Sequence, residues 1–135
     1  MLCTALRYHG VDDPRLYKTC HLNHPASIWA RQTGINFSWL LVHFEALLDE
    51  CKKRPRKDGT YPKDHASTRL IPLFYKYIHV LPKGDLTPFV NCAANNDVGV
   101  SFKDEKDVIK AYNLYLEKRW MLDKLTPTWY GKAYD

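Results

Sequence analysis

The stretch from Asn23 to Arg54, NHPASIWARQTGINFSWLLVHFEALLDECKKR, constrains the fold more than any other part of the chain. Its apolar residues recur at helical spacing on either side of a Thr33-Gly34 break, which predicts two consecutive helices. Projected at about 100° per residue, Phe37, Leu40, Leu41, Phe44, Leu47, Leu48 and Cys51 share an arc of roughly 120°, the width of a core-facing stripe. Beside it, within an arc of about 60°, lie Asn36, Trp39, His43, Glu50 and Arg54. A solvated face is normally Lys, Glu and Gln; these are stacking, hydrogen-bonding and titratable groups placed where core meets surface. Two readings stay open: the wall of a pocket, or a second packing stripe whose polar groups are satisfied locally.

The rest of the chain punctuates around this pair. Residues 1–22 are weakly patterned, and Asp12, Asp13 and Pro14 predict a short helix through Cys20. Asn23 is the expected N-cap of a helix over 24–32, with Pro25 tolerated in its first turn because the missing donor would be unpaired there anyway. That helix should turn Ile28 and Trp29 inward and stop at Gly34. The long helix then runs over 35–54, capped by Gly34 or Asn36. Asp64 is the expected N-cap of DHASTRLIPLFYKYIHVL, which Pro72 should kink or split near Leu70. Residues 81–104 carry Pro82, Gly84, Pro88 and Gly99 and read as loop, with FVNCAA and VGVSF as short extended pieces and no convincing sheet. Asp104 caps a last helix over about 105–124, whose core stripe is Val108, Ala111, Tyr112, Tyr115, Leu116, Arg119, Trp120 and Leu122. The expected fold is mainly α, a single domain over 1–135, long enough to bury one core.

No apolar run approaches the roughly 18 residues of a membrane span, and MLCTALRYHG lacks an apolar signal core, so a cytoplasmic protein is expected. Four scattered cysteines without a Cys-x-x-Cys pair read as reduced thiols. A net charge of +5 permits an anionic partner. Its distribution says more. From Lys52 to Lys63 the chain reads KKRPRKDGTYPK, six basic residues against one Asp, broken by Pro55, Gly59 and Pro62 into an exposed loop. Phosphate contact is its simplest use, against a solvated loop with no partner.

Glu50 is the leading general acid or base, one turn from Arg54 and on the face of His43. Burial against Trp39 would favour its protonated form and Arg54 its carboxylate; a plain Glu–Arg pair is the competing reading. His65, opening a helix beside the basic loop, could move a proton or meet a phosphate, or stand idle in solvent. Arg31 could clamp a phosphate or carboxylate, or pack on Trp29 or Trp39. Lys57 is the loop's phosphate candidate. In the tail, Trp129, Tyr130 and Tyr134 alternate with Lys132 and could stack on bases, or dock across the helices. Cys20, His21 and His24 hint at zinc but have no second ligand pair, so no metal or cofactor is expected. No Gly-rich phosphate loop, GxSxG elbow or HExxH occurs.

Three stretches together resemble the endonuclease V type of pyrimidine-dimer DNA glycosylase of phages and bacteria: HPASIWARQ with NFSWLLVHFEALLDECKKR, then AYNLYLEKRWMLDKL, then PTWYGKAYD. They cover about half the chain and also resemble a group of phage proteins sharing HP…W-R…N…WL. The resemblance implies a compact, mostly α domain that binds bent duplex DNA, and places Lys118 near a basic position lining the DNA-facing site. It also implies an imine route through the α-amine exposed by Met removal and a Glu on the first helix. Leu2 is bulky for that removal and residues 1–34 contain no Glu, so the glycosylase and lyase chemistry is not carried over. The expectation is a DNA-binding protein acting on a damaged or modified pyrimidine. Arg31, Lys57 and Lys118 would meet phosphates, Trp39 or Trp129 would stack, and Glu50 with His65 and His43 would supply acid–base chemistry. One alternative is an enzyme acting on a free nucleotide or small anionic metabolite; another is a non-catalytic phage accessory or host-inhibitor protein with a protein partner. Oligomeric state is left open.

Overall fold

The structure, a computed structural model, describes residues 1–124 and 127. It is mainly helical: α1 (Leu2–Tyr8), α2 (Pro25–Gln32), α3 (Gly34–Lys53), a 3-10 helix (Ala66–Leu70) running into α4 (Ile71–Tyr77), and α5 (Val108–Leu122). A two-stranded antiparallel ladder pairs β1 (Ala94–Asn95) with β2 (Val100–Ser101), Ala94 opposite Ser101 and Asn95 opposite Val100. No described helix is long and apolar enough to cross a membrane. The chain divides into two compact units, Met1–Pro88 and Phe89 onward.

In the first unit α1 packs on α2 and α3, and α4 closes the same core. Leu2, Ala5, Leu6, Phe37, Leu41, Leu73 and Phe74 are buried there, with Phe37 and Phe74 edge-to-face at 6.1 Å. The helix expected over 12–20 does not form. Asp13 instead accepts the Arg15 amide in a turn, and the Arg7 guanidinium takes the carbonyls of Asp13, Leu16 and Tyr17. The backbone closes only one turn there, the Leu16 amide donating to the Asp13 carbonyl, and side-chain bonds hold the rest in place of a helical ladder. The helix lies earlier, at α1, where every residue from Leu2 to Leu6 is buried and no apolar–polar period marks it.

Three caps in the first unit differ from expectation by one residue or a few. The His24 Nδ1, not Asn23, accepts the Ala26 amide at the start of α2, with Pro25 in the first turn as expected. Thr33, extended at φ −142°, separates α2 from α3, and its hydroxyl caps α3 by accepting the Asn36 amide at 3.0 Å. Gly34 therefore sits in the first turn of α3 rather than ending α2, its amide donating to the Pro82 carbonyl at 2.8 Å. His65, not Asp64, caps the 3-10 helix through Nδ1, and Pro72 marks the switch from 3-10 to α geometry near Leu70. Gly84 is required by close approach, since a Cβ there would lie 2.8 Å from the Thr33 Cγ2.

In the second unit Asp107, rather than Asp104, caps α5 by accepting the Lys110 amide. Asn91 donates to the carbonyls of Phe102 and Glu105, and the Tyr112 hydroxyl accepts the Cys92 amide at 3.0 Å. Of the core stripe expected on α5 only Ala111 is buried; Leu116 and Leu122 are exposed.

Candidate functional site

The polar stripe on α3 splits into groups with different fates. Asn36 is fully buried. Its Nδ2 donates to the Trp29 carbonyl at 2.8 Å and to the Thr87 Oγ1 at 2.7 Å, and its Oδ1 accepts the Thr87 amide at 3.0 Å. The reading of Asn36 as a ligand-contacting residue is corrected here. Both of its amide protons and its carbonyl oxygen are engaged in tying α2 and α3 to the segment at Thr87, in a site closed to solvent. Ile28, expected inward on α2, is exposed, whereas Trp29 is buried and its indole N–H donates to the Thr87 carbonyl at 3.1 Å.

Arg31 is likewise structural. It is 9% exposed, its guanidinium stacks 4.0 Å from the centre of the Tyr8 ring, and it donates to the Leu22 carbonyl. Its own carbonyl meets the His9 ring at 2.8 Å. A guanidinium held this way staples α2 to α1 and the 22–24 turn and is not presented to a phosphate. The aromatic partner is Tyr8, not Trp29 or Trp39.

Trp39 and His43, one turn apart on α3, stack nearly parallel, with centroids at 5.6 Å and planes 9° apart. Trp29 abuts the Trp39 ring edge-on at 5.8 Å. Trp39 is 44% exposed and His43 is exposed, so an aromatic pair stands at the surface. Along the same outward face a shallow apolar groove of about 480 Å³ runs past Ile35, Val42, Ala46 and Leu86. Leu47 and Cys51, expected in the core stripe, are exposed, while Phe37, Leu41 and Leu48 are buried.

Glu50 and Arg54 form an i,i+4 ion pair at 2.8 Å, each 38% exposed. His65 is exposed and its Nδ1 is occupied as a helix cap. Among the described residues no hydrogen bond joins any two of Glu50, His43 and His65. The proposed acid–base group is therefore not assembled as one constellation. Trp129 and Tyr130 lie outside the described residues. Lys118 is exposed on α5, in the second unit. No group of three His, Cys, Asp or Glu side chains among the described residues is arranged to hold a metal.

The basic loop is a built turn. The Arg56 amide donates to the Thr60 carbonyl at 2.7 Å and the Gly59 amide to the Arg56 carbonyl at 2.9 Å, with Gly59 at φ +80°. Glycine is used there because that left-handed geometry penalises a Cβ. Asp58, the loop's one acid, accepts both the hydroxyl and the amide of Thr60, which holds its carboxyl below the usual carboxylate range. Lys52 pairs with Asp64 and is pushed up by it, and Arg54 is taken by Glu50. Lys53, Arg56, Lys57 and Lys63 are exposed and make no ion pair or side-chain hydrogen bond among the described residues. Residues 1–88 carry 13 basic and 8 acidic side chains and residues 89–135 seven of each, so the whole net charge of +5 belongs to the first unit. Of the cations at this loop sequence reasoning singled out Arg54 and Lys57 as binding candidates, and Arg54 is held by Glu50. Which loop cations are free depends on Asp64 and Glu50 capturing their neighbours. Thr87, which organises the Asn36 anchor, carried no signal, being 51 residues away in sequence.

Comparisons with family models, with curated proteins and with solved structures return no match.

Proposed function

We propose that the chain is a DNA-binding protein that grips phosphates with the 53–63 loop and stacks an exposed base on the His43–Trp39 pair. The observation that carries this reading is the set of four cations unpaired among the described residues, Lys53 at the end of α3 and Arg56, Lys57 and Lys63 on the loop beyond it, whose only acid is consumed internally. Cations without partners sit close together at a cost in mutual repulsion, and a polyanion removes that cost while releasing counterions.

Position supports a polymer over a small anion. Lys53 follows His43 by ten residues, about 15 Å along the helix axis, or roughly four nucleotide steps at the ~3.4 Å rise of one strand. One strand thus spans both features, whereas a mononucleotide reaches one. On this reading the helical scaffold is of the pyrimidine-dimer DNA glycosylase kind, and an unstacked or damaged pyrimidine is the natural guest for the aromatic pair. Binding is the part assigned; Glu50, neutralised by Arg54, acts as a partner for that arginine.

Fluorescence anisotropy of duplex and single-stranded DNA over a salt series tests it. Four phosphate contacts give a slope of log K against log salt of about −3.6 on duplex. Weak binding at low salt with a flat slope removes the DNA assignment. Stabilisation by a mononucleotide in the absence of DNA affinity would favour the free-nucleotide alternative.

A further inference from the structure

We propose that a second groove of the first unit, walled by α1, α3, the 3-10 helix and α4, binds a small amphipathic monoanion, an apolar body carrying one carboxylate- or sulfonate-like head. This goes beyond the DNA reading and does not rest on it. The groove holds about 520 Å³, within the roughly 300–1,000 Å³ of small-molecule sites. Leu40, Phe44, Leu70 and Phe74 form its walls.

The polar lining is one-sided. Lys18, Tyr17, Ser67 and His43 line it, and no Asp or Glu does. The Lys18 ammonium and the Tyr17 and Ser67 hydroxyls make no hydrogen bond or ion pair among the described residues, and the Arg69 guanidinium lies 5.0 Å from the centre of the Tyr17 ring. Unspent donors and cations beside apolar walls, with no competing carboxylate, match an anionic head on an apolar body. Thr4, the further hydroxyl there, is already spent, donating to the Cys20 carbonyl at 3.2 Å and accepting the Cys20 amide at 3.1 Å, so the open polar groups are those of Lys18, Tyr17 and Ser67.

The test uses the full chain and 8-anilino-1-naphthalenesulfonate, with uncharged 1-anilinonaphthalene as the control. One saturable site is expected. Lys18→Glu, and Ser67→Phe, which fills the groove from its half-exposed rim, should each weaken binding by about fivefold or more, as should loss of the sulfonate. Alkylation of Cys20, an exposed thiol in the groove lining, should slow at saturation, while Cys51, exposed near the end of α3, keeps its rate and serves as internal control. Should Ser67→Phe fail to fold, Lys18→Glu and the Cys20 protection decide the matter. Unchanged affinity in the variants, equal binding of the uncharged probe, non-saturable uptake, or equal slowing of Cys20 and Cys51 overturns the proposal.

Discussion

Truncating Asn36 to Ala removes three hydrogen bonds from a site with no solvent exposure. The Thr87 hydroxyl keeps a partner, since it also donates to the Gln32 Oε1 at 3.0 Å. The Trp29 carbonyl and the Thr87 amide each lose their bond to Asn36 in a buried setting, at about 1–3 kcal/mol apiece, so the expected loss is about 2–5 kcal/mol. Against a typical domain stability of about 5–15 kcal/mol this is a large fraction. At roughly 4–8 °C per kcal/mol for a unit of this size, Tm should fall by on the order of 10–30 °C. Asn36→Asp should be no better, because a carboxylate accepts the Thr87 amide but faces the Trp29 carbonyl with no proton to give. Urea titration followed by far-UV circular dichroism measures the loss. A ligand-facing side chain would give the opposite pattern, a stability change within ~0.5 kcal/mol and a lost binding function. A loss under about 1 kcal/mol would refute the anchoring role.

Lys57→Ala should weaken DNA binding evenly across sequences and make the salt slope shallower by about 0.9, read by anisotropy with wild type alongside. Glu50→Gln should cost no more than about 0.5 kcal/mol, as for an exposed i,i+4 pair, and leave DNA affinity equal or higher; a severe loss of function with the fold intact would restore Glu50 as a catalyst. The Asp13 carboxyl is held far below the usual carboxylate range by the Arg15 guanidinium, the Arg15 amide and the Tyr77 hydroxyl. A depressed folded-state pKa contributes stability above the unfolded value of about 4 and loses it as pH falls below. Asp13→Asn should therefore be less stable than wild type at pH 7 and lose less between about pH 5 and 2.5, checked by urea midpoints; parallel acid limbs for the two proteins would sink this account.

How much of this was legible depends on whether the cause lay nearby in sequence. The α2–α3 pair was, because a 3.6-residue period and a break between its halves are local properties. So was the 3-10 to α switch, because Pro72 acts on its own turn. Helix α1 was not, since burial on all sides erases the period that announces a helix. The caps slipped because His24 and His65 use an imidazole nitrogen where an Asn or Asp stands beside them as the better formal candidate. The stripe of Asn36, Trp39, His43 and Glu50 was correctly placed on one face, but a face does not set its own burial. The segment carrying Pro82, Asp85 and Thr87 reaches the first turns of α3, sealing Asn36, while Glu50 and Arg54 near the other end stay half-exposed.

The same asymmetry separates charge that folding employs from charge that it does not. Lys52 and Lys53 lie in the last turn of α3, where the helix dipole favours cations whatever their further use. Lys52 also pairs with Asp64, and Arg54 with Glu50, so folding alone accounts for both. It does not account for Arg56, Lys57 and Lys63. They lie beyond the last turn, where the dipole's effect has fallen off, and they share a loop whose geometry is set by Asp58, Gly59 and Thr60 without them. Their side chains carry charge that neither the helix nor the turn requires. Three cations with no structural employment, in the unit that holds all the net charge, are the feature on which the phosphate-binding proposal rests, and they set this loop apart from a helix end that is merely basic.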